Sequence, residues 1–164
     1  MSLYRIAILT ASDKGAAGLR EDRSGPVIAA ALASVGTIVT TEIVADDRAT
    51  IAGQLRQWAD SDGIDLILTT GGTGLSPRDV TPEATLDAVE RLVPGIPEAM
   101  RAFSLTLTNR AMLSRAVAGT RGRTLIINLP GSPRAVSECL EVIVPVLSHA
   151  LGILTAREGE CARP

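Results

Sequence analysis

The chain has 164 residues, of which 46% are hydrophobic and 21% are charged. That length suits one globular domain, and that composition excludes disorder over most of the chain. Sixteen basic and eighteen acidic residues give a net charge of −2, and the chain has one Trp, one Tyr and one Phe. The sequence therefore lacks the positive field and the aromatic stacking surfaces that nonspecific nucleic-acid binding needs.

The apolar runs and the cysteines indicate in which cellular compartment the protein is expected. The run at residues 6–10 is too short for a signal-peptide core or a membrane span, and no other uninterrupted apolar run reaches about 18 residues. We therefore expect a cytoplasmic protein that binds no membrane. Cys139 and Cys161 have no metal-site spacing and predict free thiols in a reducing compartment. The one histidine, His149, is expected to be structural or exposed rather than a catalytic base.

Predicted strands and helices alternate along the chain. Apolar and β-branched runs predict strands at residues 4–10, 37–44, 64–70, 116–120 and 124–129. Helical spacing and helix-start signals predict helices at residues 27–35, 50–59, 81–92, 96–107 and 133–154. Ser24 and Ser132, each followed closely by a proline, are the expected N-caps of the first and last of these helices. The polar residues after Arg157 are expected to fray.

This alternation is typical of βαβ units, which build a mostly parallel sheet covered by helices on both faces. No internal repeat, low-complexity segment or linker divides the chain. The predicted fold is therefore one α/β three-layer domain over residues 1–164, with its core at about residues 4–154. The long C-terminal helix could pack on a second copy of the chain, but covering its own sheet is the simpler expectation.

Four polar loops follow predicted strands, at the sheet edge where open α/β proteins bind ligands. They are residues 12–24, Asp46 with Asp47, residues 69–79, and residues 128–132. The third loop begins Thr69-Thr70-Gly71-Gly72-Thr73-Gly74. Glycines let backbone N–H groups approach a phosphate closely, and the helix start at Ser132 offers further unpaired N–H groups. The P-loop lysine and the Rossmann glycine spacing are absent, and a plain tight turn explains the same glycines equally well.

Three carboxylates are expected at the same sheet edge, because Asp46, Asp47 and Asp79 follow the second and third strands. Phosphates beside carboxylates repel unless a cation intervenes, and Mg²⁺ typically binds through one or two carboxylates plus substrate phosphates. The glycine loop and the acids together indicate a nucleotide–Mg²⁺ site. The alternatives are a helix N-cap for Asp46 or Asp47 and a turn or a surface ion pair for Asp79.

Six segments carry a family resemblance, and they read ILTASD (8–13), DRSGP (22–26), TTGGTGLSPRDVTPEAT (69–85), PGIPE (94–98), MLSR (112–115) and LIINLPGSP (125–133). Together they resemble the molybdopterin-binding family of molybdenum-cofactor biosynthesis. The likeness is greatest to its molybdopterin adenylyltransferases, which include a domain of gephyrin. It covers nearly the whole chain, and the glycine-to-threonine segment is its most specific part.

The resemblance implies the molybdopterin-binding fold, a homotrimer, and transfer of AMP from Mg-ATP to the terminal phosphate of molybdopterin. It implies that Asp46 and Asp79 are the catalytic acids and orient Mg²⁺. It implies nucleotide binding by Thr70, Gly71, Gly72, Thr73 and Gly74, and substrate binding by Ser12, Asp13, Ser114, Arg115, Asn128, Pro130, Gly131 and Ser132. Because the glycine loop has no lysine, arginines such as Arg78 and Arg115 are expected to hold phosphates. A metal-insertion protein is a possible further partner.

Three functions stay open at this point: an adenylyltransferase, a non-catalytic molybdopterin-binding carrier, and a regulatory member that uses another nucleotide. Asp46, Asp79 and the complete glycine loop favour the enzyme. Ala45 stands where many relatives have proline, which predicts only a slightly less rigid turn.

Overall fold

Six strands form one sheet in the computed structural model, which describes residues 4–156. They are β1 (Tyr4–Ala11), β2 (Gly36–Val44), β3 (Leu66–Thr70), β4 (Arg91–Leu92), β5 (Ala118–Arg121) and β6 (Thr124–Leu129). Their order is β2-β1-β3-β6-β5-β4, and β5 is the strand that runs antiparallel to its neighbours. The predicted mostly parallel α/β sheet is therefore confirmed. Cys161 and the tail after Arg157 lie outside the described residues.

Helices connect the strands and cover both faces of the sheet. They are α1 (Asp13–Ala16), α2 (Ser24–Ala31), α3 (Arg48–Asp60), α4 (Thr81–Ala88), α5 (Gly95–Leu105) and α6 (Pro133–Leu154), with a 3₁₀ turn at Asn109–Leu113. Successive side chains of a strand point to opposite faces, so each face has its own core. In β1, Ile6 and Ile8 join the core beneath α2, α5 and α6, whereas Ala7 and Leu9 join the core beneath α3 and α4.

The C-terminal helix α6 covers its own sheet, as the simpler expectation held. Its buried stripe includes Val136, Leu140, Ile143, Leu147 and Leu151, and the helix packs against α2 and α5. Among the described residues, it is the helix that is long and apolar enough to cross a membrane. Because its apolar stripe forms part of the domain core, that length and composition are already explained by the fold.

The start of α2 differs from the prediction. The carboxylate of Asp22 accepts the backbone N–H groups of Ser24 and Gly25, at 3.1 and 3.0 Å, and so satisfies the first turn. Ser24 is buried, and its hydroxyl donates to the carbonyl of Gly131 at 2.8 Å. The predicted N-cap role of Ser24 is therefore wrong, because a better acceptor stands two residues earlier. Ser24 instead ties the start of α2 to the turn before α6.

Two helices end four residues earlier than predicted. α2 ends at Ala31, and α4 ends at Ala88. After α4, the backbone N–H of Glu90 donates to Thr120 and that of Val93 donates to Ala118, at 2.8 and 2.9 Å. The segment between them forms β4 because the neighbouring β5 supplies its hydrogen-bond partners, a choice that the local sequence does not encode.

Candidate active site

A cavity of about 560 Å³ opens at the carboxyl ends of the parallel strands, and we call it the first cavity. Its wall combines the loop after β1, the turn after β2, the glycine loop after β3 and the turn before α6. Site residues on this wall are Ser12, Asp46, Thr70, Gly71, Gly72, Asp79 and Gly131. The volume lies in the range of small-molecule sites, about 300–1,000 Å³.

Asp46 is held at this wall by a reciprocal pair of hydrogen bonds. The backbone N–H of Asp13 donates to Asp46 Oδ2, and the backbone N–H of Asp46 donates to Asp13 Oδ1, both at 2.9 Å. Burial raises the pKa of the Asp46 carboxyl, and the charges of Asp13 and Asp79 raise it further. Asp46 is therefore a partly buried carboxylate whose surroundings favour a bound cation.

The neighbouring acids Asp13 and Asp47 have protein partners. Arg78 donates to both carboxylate oxygens of Asp13 at 2.9 Å, and this holds the pKa of Asp13 below its usual range. The pair fastens the glycine loop to the loop after β1, so the Arg78 guanidinium is engaged within the protein. Asp47 accepts the backbone N–H of Thr50 at 2.8 Å and caps α3. Of the two acids for which a helix N-cap was the alternative, Asp47 has that role and Asp46 does not.

Asp79 reaches the first cavity from the far end of the glycine loop. Its Oδ2 accepts the backbone N–H of Ser76 at 3.0 Å, which fixes the carboxylate in a local turn. A Cβ on Gly74 would lie 2.9 Å from that oxygen, so a side chain at this position would require the Asp79 carboxylate to shift. Within residues 4–156, Asp79 Oδ1 accepts no hydrogen bond and remains available to a ligand.

Two glycines of the loop are required by its path. Gly71 and Gly72 have φ angles of +90° and +68°, a backbone conformation that residues with a side chain rarely adopt. A Cβ on Gly71 would overlap the carbonyl oxygen of Ala11, and a Cβ on Gly72 would overlap Thr81 Oγ1 and lie 3.3 Å from Asp46 Oδ1. The backbone of the loop therefore packs directly against the end of β1 and beside the Asp46 carboxylate.

A second cavity of about 260 Å³ lies on the other side of the glycine loop, and we call it the second cavity. Its wall is mostly apolar, and its polar groups include Ser114 and Arg101. Other lining residues are Thr73, Gly74, Met100, Pro130 and Cys139. Burial raises the pKa of the Cys139 thiol, so this cysteine is neutral and lines the cavity as a small apolar group. The glycine loop is thus a wall shared by both cavities.

The expected substrate-binding residues are divided between the two cavities. Ser12 lines the first cavity, where its hydroxyl also accepts the backbone N–H of Gly15 at 3.0 Å. Ser114 and Pro130 line the second cavity. Ser132 is the exposed N-cap residue of α6 and lines neither cavity.

Asn128 and Arg115 face inward. Asn128 is fully buried, and its amide donates to the hydroxyls of Thr69 and Thr85 at 2.9 and 2.8 Å. The side chain therefore joins β6 to β3 and α4, and this placement does not support the expected contact with substrate. Arg115 donates to groups on the glycine loop and α4, including the carboxylate of Glu83. Its guanidinium is engaged within the protein, as that of Arg78 is.

The sequence reasoning missed two arginines at the mouth of the first cavity. Arg20 and Arg23 line this cavity, and both are exposed. Arg20 forms no ion pair with any residue from 4 to 156, and Arg23 lies 3.8 Å from Glu21 in a solvent-exposed pair. Their position beside Asp22 in the loop after β1 was the available signal.

Comparisons with known proteins identify the family and the fold. A family model described as a probable molybdopterin binding domain matches residues 7–149. The chain is 41% identical to the molybdopterin adenylyltransferase of Helicobacter pylori over 94% of this chain and 89% of that protein. It is 41% identical to gephyrin of Dictyostelium discoideum over 93% of this chain and 23% of gephyrin. The crystal structure of the molybdopterin biosynthesis enzyme MoaB from Thermus thermophilus matches with a TM-score of 0.88 and 52% identity, over 94% of this chain and 98% of that one.

Proposed function

The chain belongs to the molybdopterin-binding domain family, and from that premise we propose that it is a molybdopterin adenylyltransferase of molybdenum-cofactor biosynthesis. The observation that carries the proposal is the pair of cavities separated by one glycine loop. One cavity offers carboxylates and backbone at the carboxyl ends of the strands. The other cavity has a mostly apolar wall. The first cavity therefore suits the triphosphate of Mg-ATP, and the second suits the pterin ring of molybdopterin.

We place the triphosphate of Mg-ATP in the first cavity. Asp46 and Asp79 present carboxylate oxygens there, and hard oxygen ligands of this kind suit Mg²⁺. Within residues 4–156, no group of three or more His, Cys, Asp or Glu side chains is arranged to hold a metal. We expect the two carboxylates to share Mg²⁺ with phosphate oxygens and water, so that the metal enters with the nucleotide. Arg20 and Arg23 at the mouth are the cations available to the outer phosphates.

We place the pterin ring in the second cavity. Its apolar wall fits a flat ring, and Ser114 and Arg101 are polar groups that can fix the orientation of the ring. Thr73 and Gly74 line this cavity, whereas Gly71 and Gly72 line the first. We propose that a substrate whose ring lies in the second cavity extends its phosphate past this loop toward Asp79.

In the proposed reaction, an oxygen of the terminal molybdopterin phosphate attacks the α-phosphorus of ATP. A new P–O bond forms, the bond between the α-phosphorus and its bridging oxygen breaks, and pyrophosphate leaves with the electron pair. The attacking phosphate is already ionised near neutral pH, so no side chain has to act as a base. The protein contributes position and charge neutralisation, which dominate phosphoryl and nucleotidyl transfer.

We also propose that the chain assembles as a homotrimer, because the family resemblance implies that state. Exposed apolar side chains, among them Leu105, Leu107, Met112 and Leu113 at the end of α5 and in the 3₁₀ turn, would suit burial between copies. Light scattering at micromolar concentration is the test. A mass of one chain under these conditions would contradict the trimer.

Pyrophosphate release in the presence of molybdopterin, ATP and Mg²⁺ tests the proposed activity. We expect release that depends on all three components and gives adenylylated molybdopterin in equal amount. Tight molybdopterin binding without pyrophosphate release would overturn the proposal and would favour the carrier function.

A further inference from the structure

Arg115 uses its whole guanidinium group inside the protein. Its Nε donates to the carbonyl of Gly74 at 2.8 Å, and one terminal nitrogen donates to the carbonyl of Asp79 at 2.7 Å. The other terminal nitrogen forms an ion pair with the carboxylate of Glu83. The backbone N–H of Arg115 also donates to Thr73 at 2.9 Å. Arg115 therefore contacts the glycine loop at Thr73 and Gly74. It also contacts the backbone of Asp79 and the first turn of α4.

These contacts join the two cavities. Ser114, the residue before Arg115, lines the second cavity together with Thr73 and Gly74. Asp79 lines the first cavity. A displacement of the segment around Ser114 by a bound ligand would therefore be passed through the Arg115 guanidinium to the backbone of Asp79. Coupling between sites needs such a continuous physical connection.

Glu83 fixes the guanidinium from its far side. Burial opposes ionisation of Glu83. The hydrogen bond and charge of Arg115, together with the backbone N–H of Glu83 and the charge of Arg48, outweigh burial and hold the pKa of Glu83 below its usual range. The other carboxylate oxygen of Glu83 is buried and accepts no hydrogen bond from the described residues. Both side chains are about a third exposed, at 34% and 35%. The pair is thus partly shielded from water, and among the described residues Arg115 is the ion-pair partner of Glu83.

The planar guanidinium is essential to this arrangement. It presents donors in a rigid fork, whereas a lysine ammonium is a single point charge on a flexible stem. A lysine at position 115 could keep the charge near Glu83 but could not donate along three fixed directions to Gly74, Asp79 and Glu83 at once.

We propose that Arg115 is a positioning residue that couples occupation of the second cavity to the orientation of Asp79 in the first. Ligand coupling of this kind is reciprocal, so each ligand tightens the binding of the other by the same factor. The identity of the two ligands rests on the proposed function. The coupling itself is an equilibrium property that can be measured without any turnover.

The test compares molybdopterin binding, followed by pterin fluorescence, with and without Mg²⁺ and α,β-methylene-ATP. In the native chain we expect the nucleotide to tighten molybdopterin binding by about fivefold or more. In Arg115→Lys we expect this factor to fall to about one, with little change in the affinity for molybdopterin alone and with kcat about tenfold lower. A matched set of thermal denaturation curves establishes that both proteins are folded.

Arg101→Lys is the matched control. Arg101 lies on α5 and donates to the carbonyls of Ser114 and Ala116, at 3.3 and 2.9 Å. Within residues 4–156, it donates no hydrogen bond to the glycine loop or to Asp79. We expect this variant to change the affinity for molybdopterin and to keep the coupling factor. If Arg115→Lys fails to fold, Glu83→Gln replaces it, because the amide keeps an oxygen acceptor and removes the ion pair.

Absence of coupling in the native chain, or full coupling in the folded Arg115 or Glu83 variant, would overturn the proposal. Failure of the adenylyl-transfer proposal is distinguishable. In that case the native chain binds both ligands and releases no pyrophosphate, while the binding measurement still reports the coupling.

Discussion

The two cavities differ in the charged groups that line them, although they share the glycine loop as a wall. The first cavity contains Asp46 and Asp79, with Arg20 and Arg23 at its mouth. The wall of the second cavity is mostly apolar. Beside it, Arg101 donates to a backbone carbonyl, and Arg115 donates to the carboxylate of Glu83. The fold thus places two carboxylates on one side of a thin loop and a mostly apolar wall on the other. Mutations on the two sides should therefore affect different steps.

Loss of the Asp79 charge should have the largest effect on activity. Asp79→Asn keeps an oxygen that can accept the Ser76 N–H but removes the charge that we propose orients Mg²⁺. We expect kcat to fall at least about a hundredfold. Molybdopterin binding in the second cavity should be unchanged.

Pyrophosphate release and pterin fluorescence measure these two effects. The matched control is Asp47→Asn, because Asp47 caps α3 and asparagine is an equally good cap. Near-native turnover in a folded Asp79→Asn protein would contradict the role given to this acid.

Gly72→Ala tests whether the shared wall needs its close packing. The backbone at Gly63 has a similar φ, +64° against +68°, but a Cβ there would meet nothing within 4 Å. We expect Gly63→Ala to cost about 1–2 kcal/mol from the left-handed conformation alone. Gly72→Ala should cost more, because its Cβ would also overlap Thr81 Oγ1. Urea unfolding of both variants measures the difference, and equal losses would mean that the loop relaxes freely.

Ser114→Ala tests the second cavity. Removing one hydroxyl that orients a ligand costs about 1 kcal/mol or somewhat more. We expect the KM for molybdopterin to rise by up to about tenfold while the KM for ATP stays the same. Steady-state kinetics with each substrate varied in turn provide the measurement. A change confined to the KM for ATP would reverse the assignment of the two cavities.

Asp46→Asn should have a small stabilising effect, and the size of that effect depends on pH. Burial raises the pKa of Asp46 in the folded state, so the ionised form costs stability at neutral pH. The asparagine variant lacks that cost, and its oxygen can still accept the Asp13 N–H. Without Mg²⁺, we expect its Tm to exceed that of the native chain at pH 7. The gap should close as the pH falls through the pKa of Asp46. A gap that is constant with pH would exclude the carboxylate charge as its cause.

The sequence predicted the alternation of strands and helices well, because buried strands such as β3 are continuous apolar and threonine runs. It also predicted that Asp46, Asp79 and the glycine loop meet, since the ends of parallel strands share one edge of the sheet. It failed at Ser24 and at residues 89–92, where a carboxylate two residues away and a neighbouring strand supplied the hydrogen bonds. Local propensity carries no information on such partners.

By itself, the sequence determined the fold class, the position of the glycine loop and the set of chemical groups available to a phosphate-bearing substrate. Only the tertiary structure decided how those groups are divided. It paired Arg78 with Asp13 and Arg115 with Glu83, buried Asn128, and separated Ser12 from Ser114 by the loop. The physical reason is that hydrogen bonds and ion pairs are formed between residues far apart along the chain. Their pairing is therefore fixed by the packed arrangement of loops around the sheet edge.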